Sequence, residues 1–443
     1  MSVFKAYDVR GIYGEQIDED LARKIGAGFI DLLGGGPIVV GRDMRACAPS
    51  IAKAFIEGAR RRGADVIDIG LASTPQTYFA IGHFQVNGGV QITASHNPSE
   101  YIGMKFCRQD CVPISYETGI RRLEEAASKD LPAPAEQEGG LSVRVITDDY
   151  VEHVSRWLEG PTDLKLVIDA GNGMAGHELP AVLDRLGISA ERLYFDLDGS
   201  FPNHEANPIK AENMEDVISR VRATGADLGV AFDGDADRCA FVDETGTIIS
   251  SDLMTAIMAK ELLGREPGAH VVYDLRSSRV VAEEIEQEGG KPVLERVGHS
   301  FIKATMRKTN AIFGGELSGH YYFRENFTSD SGVIAMLLTL EILRKRGKKL
   351  SELVNPLRRY PATGEINFVV EDKEGMIRRL ESEFSDGETD HIDGITVRYP
   401  TWWFNVRKSN TEPLLRLNLE ADDDATLASA KSRLLALLGE PEE

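Results

Sequence analysis

Gly88-Gly89-Val90-Gln91-Ile92-Thr93-Ala94-Ser95-His96-Asn97-Pro98 is an apolar run that stops at a serine and passes at once into turn-forming residues. A short β-rich stretch closed by His-Asn-Pro predicts a strand with Ser95 just past its carboxyl end, where open α/β sheets present their ligand groups. Ser95 is therefore the candidate reactive residue. Taken alone, the same stretch also reads as a turn in which Ser95 or Asn97 only caps the backbone. On either side, the strand-like runs Ile38-Val39-Val40 and Val66-Ile67-Asp68-Ile69 alternate with helix-like runs over 48–61 and 116–127. This is a βαβ pattern. The breaker-rich passage from Leu131 to Gly140 ends a first domain, 1–140.

A second alternation fills 141–249, with strands at 166–168 and 228–232 and helices at 175–186 and 214–222. A third fills 250–359, with strands at 271–273, 293–294 and 311–313 and a helix at 280–287. After Pro361 the pattern becomes α+β over 360–443, with strands at 366–370, 395–399, 403–406 and 414–419 and helices at 375–384 and 425–438. The expected fold is an α/β chain of four domains, three similar mixed α/β domains and a C-terminal α+β domain around a central active-site cleft. The length of 443 residues agrees with three or four domains.

Composition narrows the function. A formal charge of −21 disfavours nucleic acid and anionic membrane, which bind clustered Lys and Arg. No run reaches the roughly 18 apolar residues of a membrane span. Met1 to Gly11 lacks the apolar core of a signal peptide, so a cytoplasmic location is expected. Cys47, Cys107, Cys111 and Cys239 form no metal-finger spacing and read as reduced thiols.

Three further loops carry chemistry. Asp233-Gly234-Asp235-Ala236-Asp237-Arg238 follows the apolar run Leu228 to Phe232. Like charges about 4 Å apart repel by about 4 kcal/mol at an effective dielectric of 20, so three crowded carboxylates call for a cation or raised pKa values. All-oxygen ligands favour Mg²⁺ or Ca²⁺ over zinc. An EF-hand would place Asp233, Asp235, Asp237 and Glu244 at its ligand positions, but Arg238 stands where its glycine belongs and the flanks are strand-like. Gly314-Gly315-Glu316-Leu317-Ser318-Gly319-His320 offers a carboxylate and a hydroxyl two apart, suited to sugar hydroxyls, or simply a glycine turn. Upstream, Gly298-His299 ends another strand-like run, with His299 either a proton-transfer group or a satisfied histidine. Arg407-Lys408-Ser409-Asn410-Thr411-Glu412-Pro413 reads as an anion cradle or as a polar hairpin tip.

Four loops together resemble the α-D-phosphohexomutases, the phosphomannomutase/phosphoglucomutase family, from end to end. T-A-S-H-N-P at 93–98 is similar to the family's phosphoserine loop, and D-G-D-A-D-R at 233–238 to its metal loop. G-E-L-S-G-H at 315–320 is similar to its sugar loop with Leu317 for Met, and R-K-S-N-T-E-P at 407–413 to its phosphate loop. The opening F-K-A-Y-D-V-R-G carries over Tyr7 and Arg10, and Y-I-G-M-K carries over Lys105. Ile102 departs from an Asn common beside that lysine, and Arg276 stands where a substrate-binding Lys is usual.

The resemblance implies a phosphoryl relay. Phospho-Ser95 would give its group to a hexose phosphate, and the resulting hexose 1,6-bisphosphate, also the activator, would turn and return its other phosphate. It implies Mg²⁺ on Asp233, Asp235, Asp237 and the phosphoserine, with Arg238 beside it. Lys105 and His299 are its proton-transfer groups, and Arg10 lowers the charge cost of transfer. Tyr7, His96, Arg276, Gly298, Glu316, Ser318, His320, Arg407, Ser409, Asn410 and Thr411 are its substrate contacts. Leu317 and the N-terminal signature point to mannose phosphates, with glucose phosphates accepted and a glucosamine-type mutase as the alternative. The expected partners are small hexose phosphates, and the expected state is a monomer or weak homodimer. A haloacid-dehalogenase-type enzyme using an aspartyl phosphate would share Asp233-Gly234-Asp235, but its motif continues to Thr or Val where Asp237 stands, and it leaves the other loops unexplained.

Overall fold

The computed structural model describes residues 2–409 and 414–442. The chain forms two compact units, 1–251 with 318–351, and 252–317 with 352–443. In the first unit, a six-stranded sheet runs in the order Val9–Ile12, Tyr101–Arg108, Gly88–Ile92, Ile38–Arg42, Val66–Leu71, Leu141–Val143. The last four are mutually parallel, as the βαβ pattern predicts, and the first two add antiparallel. The sheet thus continues past residue 140, the expected end of the first domain, by one short strand. Phe29, Phe55 and Phe106 meet beneath it with centroids 5.3 to 6.3 Å apart, each burial contributing about 1.5–3 kcal/mol.

The helix expected over 116–127 is broken. Tyr116–Ile120 makes a single wide turn interrupted at Gly119, and the α-helix proper is Arg121–Ala127. Close packing requires glycine there, because a Cβ would collide with the Ile114 and Leu32 side chains. The helices Ala48–Arg61 and Ala175–Leu186 have the expected ends.

A second sheet of the first unit runs Ile248–Ile249, Cys239–Asp243, Leu228–Phe232, Leu166–Asp169, Ala190–Leu193. Leu228–Phe232 is parallel to Leu166–Asp169 and antiparallel to Cys239–Asp243, with Phe232 opposite Cys239. Residues 233–238 are therefore a hairpin loop. The third α/β segment mixes both pairings: His270–Asp274 lies parallel to Lys291–Glu295 and Phe313–Gly315 in the second unit, and Tyr321–Phe323 pairs antiparallel with Ser329–Asp330 in the first. The last segment is an antiparallel sheet in the order Ala362–Val369, Leu414–Ala421, Trp402–Lys408, Ile395–Arg398, Glu388–Asp390. The helices Lys373–Glu383 and Asp424–Leu438, capped by Asp372 and Asp423, bury Leu380 and Leu434 with Phe368, Phe404 and Leu417. None of the four cysteines is in a disulfide. Among the described residues no helix is long and apolar enough to cross a membrane.

One buried acid ties two domains of the first unit together. Ser73 Oγ donates to Glu178 Oε2 at 2.7 Å, and burial pushes the Glu178 carboxyl from 4.5 up to about 8. The fold therefore holds a proton there that the unfolded chain releases. Its contribution is complete below 4.5 and is lost as pH rises through 8. Glu178→Gln keeps the shape without the ionisation, so it should flatten the fall in thermal stability between pH 6 and 9 and gain roughly 2 to 4 kcal/mol at the alkaline end. Parallel melting curves across that range check this; equal slopes in both proteins would assign the proton elsewhere.

Candidate active site

Ser95 lies three residues beyond the strand Gly88–Ile92, buried, with φ +52°. A non-glycine residue in the left-handed region costs about 1–3 kcal/mol and persists where its surroundings over-determine it. Its Oγ donates to Asp233 Oδ2 at 3.0 Å, lies 3.2 Å from His96 Nδ1, and accepts from Arg238 Nη2 at 3.4 Å. Arg238 Nη2 also donates to His96 Nδ1, so that nitrogen is an acceptor. Burial and the nearby Arg238, Arg10 and Lys105 charges hold His96 well below its usual range, hence neutral. Arg10, on the strand Val9–Ile12, donates to Asn97 Oδ1 at 2.6 Å and pairs with Asp8. Tyr7 precedes that strand and is half-buried.

The hairpin loop brings its three carboxylates together, fully or almost fully buried, with ligand oxygens within 4.8 Å of one another. Gly234 is required by close approach, because a Cβ there would collide with the Ser95 carbonyl. Arg238 Nε pairs with Asp233 Oδ2 at 2.9 Å. Lys105 Nζ lies 2.6 Å from both Asp235 Oδ2 and Asp237 Oδ2. His320 Nε2 is 3.4 Å from Asp237 Oδ1, and its Nδ1 is 3.0 Å from Ser318 Oγ.

Electrostatics separate the three acids. Burial drives Asp233 up to about 7 against the pull of Arg238. Burial acts the same way on Asp235 and Asp237, but there the Lys105 ammonium prevails and holds both below the usual range. The two carboxylates in turn raise Lys105 against its own burial. It therefore enters the site charged. Asp235 Oδ1 is buried with no hydrogen-bond partner among the described residues. An orphaned carboxylate oxygen amid hard oxygen donors fits a small divalent cation such as Mg²⁺. The EF-hand geometry is absent: the loop is flanked by strands, and Glu244 accepts from Ser351 Oγ at 2.5 Å instead.

Sequence reasoning passed over the groups that hold the serine loop. Arg45, buried and 3.3 Å from Asp43, donates Nη2 to the carbonyls of Ser95 (3.0 Å) and Asn97 (2.6 Å). Its Nη1 reaches those of Pro98 (2.6 Å) and Tyr101 (3.0 Å). One planar fork thus fixes both sides of the turn that strains Ser95. Thr74 Oγ1 donates to Asp235 Oδ2 at 2.5 Å. A signal existed, because Asp43 and Arg45 follow the apolar run Ile38–Arg42 as Ser95 follows its own strand.

The remaining expected residues lie in the second unit. Arg276 is clamped by Asp274, with Nη2 to Oδ2 at 2.7 Å and Nε to Oδ1 at 3.2 Å, and Glu316 lies 3.9 Å from its Nη2. Gly298 donates its N–H to Glu316 Oε2 at 3.3 Å and caps the helix His299–Thr309. Buried Arg407 donates Nη2 to Glu365 Oε2 at 2.7 Å. Ser409 donates its N–H to the Leu414 carbonyl at 2.9 Å. Asn410 and Thr411 lie outside the described residues. Glu365 and Arg416, 3.2 Å apart, belong to the same group and were not foreseen.

Comparison with known proteins assigns the chain to a family. Phosphoglucomutase/phosphomannomutase alpha/beta/alpha domains I, II and III match residues 1–132, 148–246 and 250–360, and the C-terminal domain of the same family matches 365–437. The chain belongs to the phosphoglucomutase/phosphomannomutase family. It is 40% identical to a Xanthomonas campestris protein named for phosphohexose mutases and 40% identical to the phosphomannomutase of Escherichia coli K12, each over 99% of both chains. A solved phosphoglucomutase/phosphomannomutase family protein from Burkholderia thailandensis superposes with a TM-score of 0.91 at 36% identity, covering 99% of this chain and 98% of that one.

Proposed function

We propose that this chain is a phosphohexomutase that interconverts the 6-phosphate and 1-phosphate of mannose, and also of glucose, by a phosphoryl relay through Ser95. The observation that carries the reading is the Ser95 hydroxyl set 3.0 Å from Asp233 and within reach of Arg238 at the mouth of a carboxylate loop. Sugar C1 and C6 oxygens are too far apart for direct transfer, so the enzyme must hold the group between the two halves of the reaction. Ser95 is the oxygen that accepts and returns it. Arg238 faces the transferring group, and Arg10, tied to Asn97 in the serine loop, adds positive charge there.

Mg²⁺, held by Asp233, Asp235, Asp237 and the Ser95 oxygen, would supply charge neutralisation on the group in transfer. Lys105 and His299 are the proton-transfer groups; Lys105, kept protonated by Asp235 and Asp237, is suited to donate to a leaving sugar oxygen. Glu316, Ser318 and His320 take sugar hydroxyls. Arg276, Arg407, Ser409 and the loop beyond it take the phosphate that is not being transferred.

Mannose and glucose differ only in the hydroxyl at C2, and among the described residues no buried group is identifiable as a reader of C2. A site discriminates strongly only where a mismatched substrate leaves a buried polar group unpaired. The expected result is comparable kcat/KM for mannose 1-phosphate and glucose 1-phosphate, with glucosamine 1-phosphate poorer. A preference for the glucosamine substrate above about tenfold, roughly 1.4 kcal/mol in the transition state, would overturn the substrate assignment and leave the relay standing.

A further inference from the structure

Arg407 and Arg416 sit directly opposite each other on neighbouring antiparallel strands of the second unit. Like charges in that relation are unfavourable without a mediator. The mediator is Glu365, two residues before Asn367, which is the residue opposite Arg416 on the other neighbouring strand. One Glu365 oxygen accepts from Arg407 Nη2 at 2.7 Å and lies 3.7 Å from Arg276 Nη1; the other is 3.2 Å from Arg416 Nη1. A single carboxylate therefore gathers three guanidiniums.

Other carboxylates stand near these guanidiniums: Glu316 is 3.9 Å from Arg276 Nη2, and the Asp393 charge acts on Arg407. Asp274 answers Arg276 with two hydrogen bonds, and Glu365 is the carboxylate that bridges Arg407 and Arg416. Arg407 is 1% exposed, yet its Nε has no hydrogen-bond partner among the described residues. A buried guanidinium with an unused donor leaves one hydrogen bond open to a further anion. The Glu365 side chain keeps 23% of its exposure, so solvent and solutes reach it.

We propose that Glu365 is a built-in counter-anion that competes with the substrate's held phosphate for Arg276, Arg407 and Arg416, and so weakens that hold enough for a bisphosphate to let go and turn. The proposal rests on the phosphate-cradle reading of the loop that begins at Arg407. A dianion bound among these guanidiniums must either displace the carboxylate or lie beside it, and each course lowers affinity. A relay that must release the same phosphate group within one catalytic cycle gains turnover from that weakening.

Titration of inorganic phosphate into the metal-free protein, by calorimetry, tests this in the wild type, Glu365→Gln and Arg407→Met, with melting curves confirming that each is folded. Glu365→Gln should bind phosphate about tenfold more tightly, as expected when a like charge beside a bound dianion is removed. Arg407→Met should lose binding, and adding it to Glu365→Gln should abolish the gain. Glu365→Asp, whose carboxylate is drawn back from the guanidiniums, should tighten binding by less and serves if the glutamine variant does not fold. In steady state Glu365→Gln should lower KM and kcat together. Unchanged or weaker phosphate binding in the Glu365 variants, while Arg407→Met still weakens it, would overturn the proposal and make Glu365 a simple orienting group. Phosphate binding indifferent to Arg407→Met would overturn the cradle reading itself.

Discussion

Ser95→Ala should lower kcat/KM by about four orders of magnitude or more, the scale of losing a nucleophile. Intact mass after incubation with a hexose 1,6-bisphosphate should show a phosphoryl group on the wild type and none on the variant. The geometry supports the size of the effect. Ser95 Oγ is the hydroxyl beside Asp233 and Arg238, held in a left-handed turn by four carbonyl bonds from Arg45. Those bonds are to backbone, so the variant keeps them and should unfold within about 1–2 kcal/mol of the parent. Loss of activity would then report chemistry and not misfolding. A hydroxylamine-labile acyl phosphate on Asp233, with Ser95 unmodified, would instead favour the aspartyl-phosphate rival.

The reacting centre was more legible than its supports, for a physical reason. Ser95 and the three aspartates follow apolar runs of β-rich residues, and a strand that ends in polar groups announces a ligand-facing loop. Lys105 was reached only through resemblance, although Ile102, Met104 and Phe106 are buried with Lys105 between them in a period of two. Pro98 just before that strand and Gly103 within it obscure the pattern. Arg45 and Glu365 escaped because their importance lies in partners distant along the chain: Arg45 reaches residues 95–101 and Glu365 reaches Arg407 and Arg416. No local pattern encodes such pairings. The C-terminal α+β segment was legible from its period-two runs and its spaced amphipathic helices, but not the strand order that sets Arg407 against Arg416.

Asp235→Asn should cost about three orders of magnitude in kcat, because it removes a charged ligand where negative charge accumulates in transfer. Stability should change little. Asp235 Oδ2 takes Lys105 at 2.6 Å and Thr74 at 2.5 Å, so the mutation loses part of an ion pair. It also relieves repulsion among three crowded carboxylates, and two opposed terms of about 4 kcal/mol each, for charges near 4 Å at an effective dielectric of 20, leave a small remainder. Lys105 keeps Asp237, 2.6 Å away, as a partner. The decisive readout is therefore the metal itself. Wild-type activity should disappear with chelator and return with Mg²⁺, and Mg²⁺ should raise the wild-type Tm in proportion to the logarithm of its concentration above Kd. In Asp235→Asn that rise should begin only at concentrations about a hundredfold higher, the loss expected when one of few charged ligands to a hard cation is neutralised. Turnover that survives chelation, or an equal Mg²⁺-dependent Tm shift in both proteins, would place the cation away from this loop and leave its carboxylates to Lys105 and Arg238.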